Sequence, residues 1–139
     1  MRFNSLILTS LLCVSLAGPA LAQSANPEGS WRDKYGTIFN ISLCGGGTDI
    51  CAILIDIQGE SRTEKNLAYV NQQVLQASQT AANEWQGTVI YNGSEAAAKV
   101  TQDGPDTLSI QGCRAAILCQ TLVFNRIDPS EAKPAAPAN

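Results

Sequence analysis

The sequence predicts a single, mostly β domain: an up-and-down antiparallel barrel of about eight strands, with one short helix and two disulfides. Three observations carry this expectation. Short segments alternate apolar and polar residues with the period of two that a half-buried strand requires. Glycine, proline and asparagine punctuate those segments at close, regular intervals. Four cysteines fall as two close pairs, Cys44 with Cys51 and Cys113 with Cys119. Eight short strands in a meander can close on themselves and so remove unpaired edges. A small open sandwich is the alternative.

The chain is expected to open on an export signal over residues 1–22. Arg2 supplies the positive start, Leu6 to Leu16 the apolar stretch, and Ala20-Leu21-Ala22 the small-x-small cleavage site. Gly18-Pro19 interrupts the apolar run before it reaches the 18–20 or so residues a membrane span needs. Cleavage removes Cys13 and leaves an even number of cysteines. In an exported chain that reads as two disulfides. A four-thiolate zinc site is the rival, but its spacings are usually shorter than the C-x6-C and C-x5-C found here.

The expected strands are 30–35, 37–44, 50–57, 73–79, 84–91, 95–102, 106–113 and 118–127. Gly45-Gly46-Gly47 joins the second and third, and Asn92-Gly93 gives a hairpin turn whose residues both tolerate positive φ. Gly104-Pro105-Asp106 makes the next turn. Between 58 and 84 the pattern is ambiguous. Thr63-Glu64 looks like a helix start, giving a short helix near 64–71 and a strand near 73–79. A continuous helix over 64–81 is the other reading. The domain therefore spans 29–127, and Asp128 to Asn139 is a Pro/Ala coil too poor in apolar residues to order itself.

A direct Cys113–Cys119 pairing sets Ile110 against Leu122 and Leu108 against Phe124. Gln111 then meets Thr121 and Ser109 meets Val123, so one face is apolar and the other mostly polar. A slip of one residue would spoil the separation. A direct Cys44–Cys51 pairing sets Leu43 against Ala52, Ile41 against Leu54 and Phe39 against Asp56. That face is less clean, so this hairpin either buries both faces or carries a bulge. Each short loop so closed contributes roughly 2–3 kcal/mol.

Several landmarks, taken in order, resemble the DUF2147 family of exported bacterial proteins. They are Gly29-Ser30-Trp31, Cys44 with Cys51, Trp85-Gln86-Gly87 with Ile90-Tyr91, Gly112-Cys113 with Cys119, and Arg126. The resemblance covers about 29–127 and implies a lipocalin-like topology; the family's biochemical role is not established. The stretch Asp56 to Leu67 lacks the Asn-Pro that many members carry there, so nothing tied to that loop is carried over. Gly-x-Trp and a late Arg also resemble the wider calycin signature. It implies that Trp31 plugs one barrel end with Arg126 packed over its indole, as structural residues.

Composition narrows the function. The chain has 9 Lys+Arg against 12 Asp+Glu, a formal charge of −3 and a pI near 4.8. It lacks the clustered cations that nucleic acid or an anionic membrane surface requires. Histidine is absent, which removes Ser-His-Asp and Cys-His catalysis and the usual imidazole metal ligands. No catalytic constellation, cofactor site or metal site stands out. The expectation is a non-enzymatic periplasmic or secreted protein that binds a small apolar or amphiphilic ligand inside the barrel. A protein-binding module, such as an inhibitor of a basic exported enzyme, and a structural envelope component are the alternatives. The expected rim of the binding site is Arg62, Glu64, Asn66 and Tyr69, on the longest connection of the chain. Asp56 is flagged as a carboxylate that would need a partner if buried, with Arg62 the candidate.

Overall fold

The structure is a computed structural model and describes residues 25–115 and 117–134. The predicted signal peptide and the end of the Pro/Ala tail lie outside the described residues. Eight strands form a closed antiparallel barrel in sequence order: β1 Gly29–Asp33, β2 Ile38–Cys44, β3 Asp49–Asp56, β4 Gln73–Ala81, β5 Glu84–Tyr91, β6 Ser94–Gln102, β7 Thr107–Arg114 and β8 Leu118–Ile127. Pairing of β1 with β8, Trp31 opposite Arg126 and Asp33 opposite Phe124, closes the ring. Alternate residues along most of each strand fill the interior, with adjacent buried pairs at Ser30–Trp31, Ile38–Phe39 and Val74–Leu75. Trp31, Ile41, Ile50, Leu75, Val100, Leu108 and Phe124 are the largest fully buried side chains.

The expected helix is a single turn, α1 Glu64–Leu67, with the Thr63 hydroxyl accepting from the Asn66 amide. A 3-10 turn, Gly59–Ser61, precedes it. The continuous helix over 64–81 does not form. Asn71 takes a left-handed φ of 66° and ends the connection, and β4 is then held in ladders on both sides. Asn92 and Gly93 both have positive φ, as a tight hairpin of the right twist requires. Gly87 has a different reason. A Cβ there would lie 1.9 Å from the Gln76 carbonyl oxygen, so β4 and β5 approach too closely for any side chain.

Both disulfides are formed, Cys44–Cys51 and Cys113–Cys119. The β7–β8 register has Cys113 opposite Cys119, Ile110 opposite Leu122 and Leu108 opposite Phe124. The β2–β3 register differs from the expected one by two residues: Cys44 faces Asp49, Ser42 faces Cys51, and Phe39 faces Leu54. The disulfide therefore runs diagonally, with Cα atoms 5.9 Å apart, a separation such a bond accommodates. The physical reason is the glycine-rich loop, which turns so tightly that the ladder runs past Cys51 to a final Cys44–Asp49 pair. An even shift leaves every side chain on its own face. A bulge between Ile38 and Phe39 then brings Asp56 opposite Ile38.

The barrel has a closed end and an open end. The closed end carries residues 25–28 and the turns at 45–48, 82–83 and 103–106. The Trp31 indole N–H donates to the Pro27 carbonyl (2.9 Å), and the Arg126 guanidinium lies 4.2 Å above the ring centroid. Arg126 also donates to the carbonyls of Asn26 (2.7 Å), Glu28 and Pro105 (2.9 Å), tying residues 25–28 and a turn to the last strand. Trp85 is buried at the same end, its N–H donating to the Thr48 carbonyl at 2.9 Å. Beyond β8, Pro129–Glu131 forms one 3-10 turn. Hydrogen bonds from Ser130, side chain first and backbone second, hold the exposed Asp128 carboxyl below its ordinary value.

Candidate functional site

The open end is built from the β1–β2 turn, the long 57–72 connection, and the β5–β6 and β7–β8 hairpins. A cavity of about 170 Å³ opens there. Its walls are apolar: Phe39, Leu54, Val74, Val89, Ile110, Leu122 and Phe124. Phe39 and Phe124 meet as a tilted pair, centroids 5.2 Å apart. Around the mouth stand Asp33, Tyr35, Asn66, Tyr69, Tyr91 and Gln120. The Tyr91 hydroxyl and Gln120 Oε1 are 2.7 Å apart, which links two hairpins across the mouth. Arg114 donates to the Tyr91 carbonyl (3.0 Å) and lies 5.4 Å from its ring centroid.

Of the four expected rim residues, the structure brings Asn66 and Tyr69 to the cavity. Asn66 is fixed by donating to the Ser61 carbonyl (2.9 Å), and Tyr69 packs against the core. Arg62 and Glu64 do not line it. Arg62 turns back to Asp56, 3.4 Å away, and donates to the Ile57 carbonyl at 3.1 Å. Asp56 is buried, and its second oxygen accepts from the Gln58 amide at 2.6 Å. A buried carboxylate recruits the nearest cation, which is why Arg62 leaves the rim. Glu64 is exposed in the first turn of α1, where its charge suits the helix start.

Within the expected apolar interior, Ile110, Leu122 and Phe124 face the cavity, whereas Leu108 is buried outside it, nearer the closed end. Ala96 and Ala98 point inward and Ala97 outward; none of them lines this cavity, whereas Gly112 does. Trp31 and Arg126 are at the opposite end. Sequence reasoning missed Asp33, Tyr35, Tyr91 and Gln120. Parity held the signal for Asp33, which lies two residues beyond the inward Trp31 on the same strand. Among the described residues no group of three or more His, Cys, Asp or Glu side chains could hold a metal ion, and no helix is long and apolar enough to cross a membrane.

A closed eight-stranded meander, plugged at one end and open to a small apolar cavity at the other, has a lipocalin-like architecture. Among solved structures the chain is similar to one described as "Protein HP1028 from the human pathogen Helicobacter pylori belongs to the lipocalin family". The match has a TM-score of 0.54 at 10% identity and covers 77% of this chain and 86% of that one. At that identity the likeness is one of fold. No protein-family model matches the sequence, and no curated protein sequence matches it.

Proposed function

We propose that this is an exported, periplasmic, non-enzymatic protein that holds a small apolar or amphiphilic molecule in the open end of its barrel. One observation carries the reading: an apolar-walled cavity with a polar mouth at the end opposite the Trp31–Arg126 plug. Its volume sets the ligand's size. A cavity of about 150 Å³ takes up a benzene-sized molecule, so about 170 Å³ suits one ring or a short alkyl chain. A longer ligand would leave its remainder in the mouth. The two disulfides suit an oxidising compartment. The DUF2147 resemblance, with its exported members, belongs to the same proposal.

Titration calorimetry with 1-octanol tests it. Binding should show a negative heat-capacity change, the mark of apolar burial. Tyr69→Ala should weaken it by about fivefold or more, roughly 1 kcal/mol. No uptake by the folded protein would refute the reading. A second reading, a protein-binding module, is favoured by one feature. The tip of the β7–β8 hairpin exposes Ile117 (87%) and Leu118 (67%) above the disulfide. Native mass spectrometry of protein purified from its own periplasm separates the two by the mass that travels with it.

A further inference from the structure

We infer that the ligand carries an ammonium or similar N–H head group and that the Asp33 carboxylate receives it. This rests on the cavity being the binding site and adds what the site selects.

Asp33 ends β1 on its inward face, opposite the buried Phe124, and is itself only 5% exposed. One carboxylate oxygen is spoken for: Oδ1 accepts from the backbone amides of Tyr35 (2.9 Å) and Thr37 (2.8 Å) and so shapes the β1–β2 turn. The other, Oδ2, is buried and accepts nothing. Among the described residues no Lys or Arg forms an ion pair with Asp33; the neighbouring Lys34 instead sets its ammonium 4.9 Å from the Tyr35 ring centroid. Asp33 is also the one charged side chain among the residues that line the cavity.

A buried acceptor with no donor is unfavourable, and more so when it is ionic. A turn needs only Oδ1, so the turn explains half of the carboxylate and leaves Oδ2 without a role. A ligand's N–H can supply the missing donor, and a positive charge on it gains from the low dielectric of an apolar-walled site. The ring of Tyr69 at the mouth offers a face that attracts the same charge, whereas Tyr91 already has the Arg114 guanidinium near its ring. An anionic head would meet the opposite field inside. Its favourable places would be outside, toward Lys65, whose stem packs on Gly93, or toward Arg114 beside Tyr91.

Calorimetry on the intact exported chain near neutral pH, with hexylammonium, 1-hexanol and hexanoate, separates these cases. The tails are identical, so differences report the head group. Hexylammonium should bind about tenfold or more tighter than either of the others. Asp33→Asn keeps an oxygen for the Tyr35 and Thr37 amides but removes the charge, and should erase the advantage of hexylammonium over hexanol. If that variant does not fold, the ranking on the unaltered protein still decides. Hexanol binding equally well would mean that water satisfies Oδ2, and hexanoate binding best would place the head at Lys65 or Arg114; either overturns the inference and leaves the cavity reading standing. An amine preference that survives in folded Asp33→Asn overturns it as well. Failure of all three to bind overturns both.

Discussion

Arg62→Ala tests whether this side chain is a strut or a rim. Arg62 donates to Asp56 and to the Ile57 carbonyl, and so pins the start of the 57–72 connection to the end of β3. The Asp56 side chain is 6% exposed and that of Arg62 is 30% exposed. Removing the arginine leaves a buried carboxylate with only the Gln58 amide as donor. Breaking a fully buried pair costs about 3–5 kcal/mol. The half-open guanidinium lets water replace part of what is lost, and the 3.4 Å separation is long for a charged hydrogen bond. The loss should therefore be about 1–2 kcal/mol, nearer that of ordinary hydrogen bonds to charged groups. In a domain of this size that lowers the melting temperature by about 4–16 °C. Adding Asp56→Asn should recover part of it, because the uncompensated charge goes too. Thermal unfolding of the two single variants and the double variant reads the cycle. Strict additivity, or an Arg62→Ala protein of unchanged stability with weakened ligand uptake, would refute the strut and return Arg62 to the rim.

Trp31→Ala should destabilise by about 3–5 kcal/mol, since it empties a fully buried site and removes the surface on which Arg126 lies; a shift of under 1 kcal/mol in urea unfolding would contradict the plug. Replacing Cys113 and Cys119 by serine should weaken octanol uptake more than the same change at Cys44 and Cys51, because only the first pair clamps a hairpin beside the mouth; equal effects in calorimetry would show that the clamp is irrelevant to binding. Intact mass of exported protein should begin at Gln23. Trimming the chain after Ile127 should cost less than about 1 kcal/mol, because an exposed Arg32–Glu131 pair at 3.8 Å is the tail's ion pair to the barrel among the described residues.

Strand count and order were legible because each depends on local pattern. Each expected strand lies within two residues of the observed one, and the β7–β8 register followed from one cysteine pair whose faces then separated cleanly. The β2–β3 register was not legible to the same depth. A diagonal disulfide satisfies the same covalent geometry as a direct one, and shifts of two residues preserve the apolar pattern, so neither test distinguishes them. Of the six residues around the mouth only Asn66 and Tyr69 were named from sequence, for a related reason. That the 57–72 connection covers the mouth follows from its length. Which of its side chains turn inward depends on where the buried Asp56 sits, a fact of three-dimensional register. Asp33 shows the converse: its inward position was readable from Trp31 by parity, but its unpartnered oxygen depends on how the next turn folds back.

The two ends differ in how they are held, and this bears on how a ligand enters. At the closed end the ties are buried or multiple: both indoles are hydrogen-bonded, and Arg126 joins three carbonyls with an aromatic face. At the mouth an exposed bond joins Tyr91 to Gln120, and the cover, pinned at its start by Arg62, centres on one turn of helix with no buried residue of its own. Free energies of local opening follow such differences. Displacing the 57–72 connection therefore requires less than opening the barrel. Asn71, whose amide donates to the Leu54 carbonyl at 2.7 Å, and Gln72, whose carbonyl accepts from the Leu54 amide at 3.1 Å, mark where that cover is tied back to the sheet. Amide protons from 59 to 70 should exchange with solvent before those of β7 and β8, and bound octanol should slow the first set selectively. Uniform slowing across the barrel would mean that entry requires global unfolding, and the division between a fixed end and an opening one would fail.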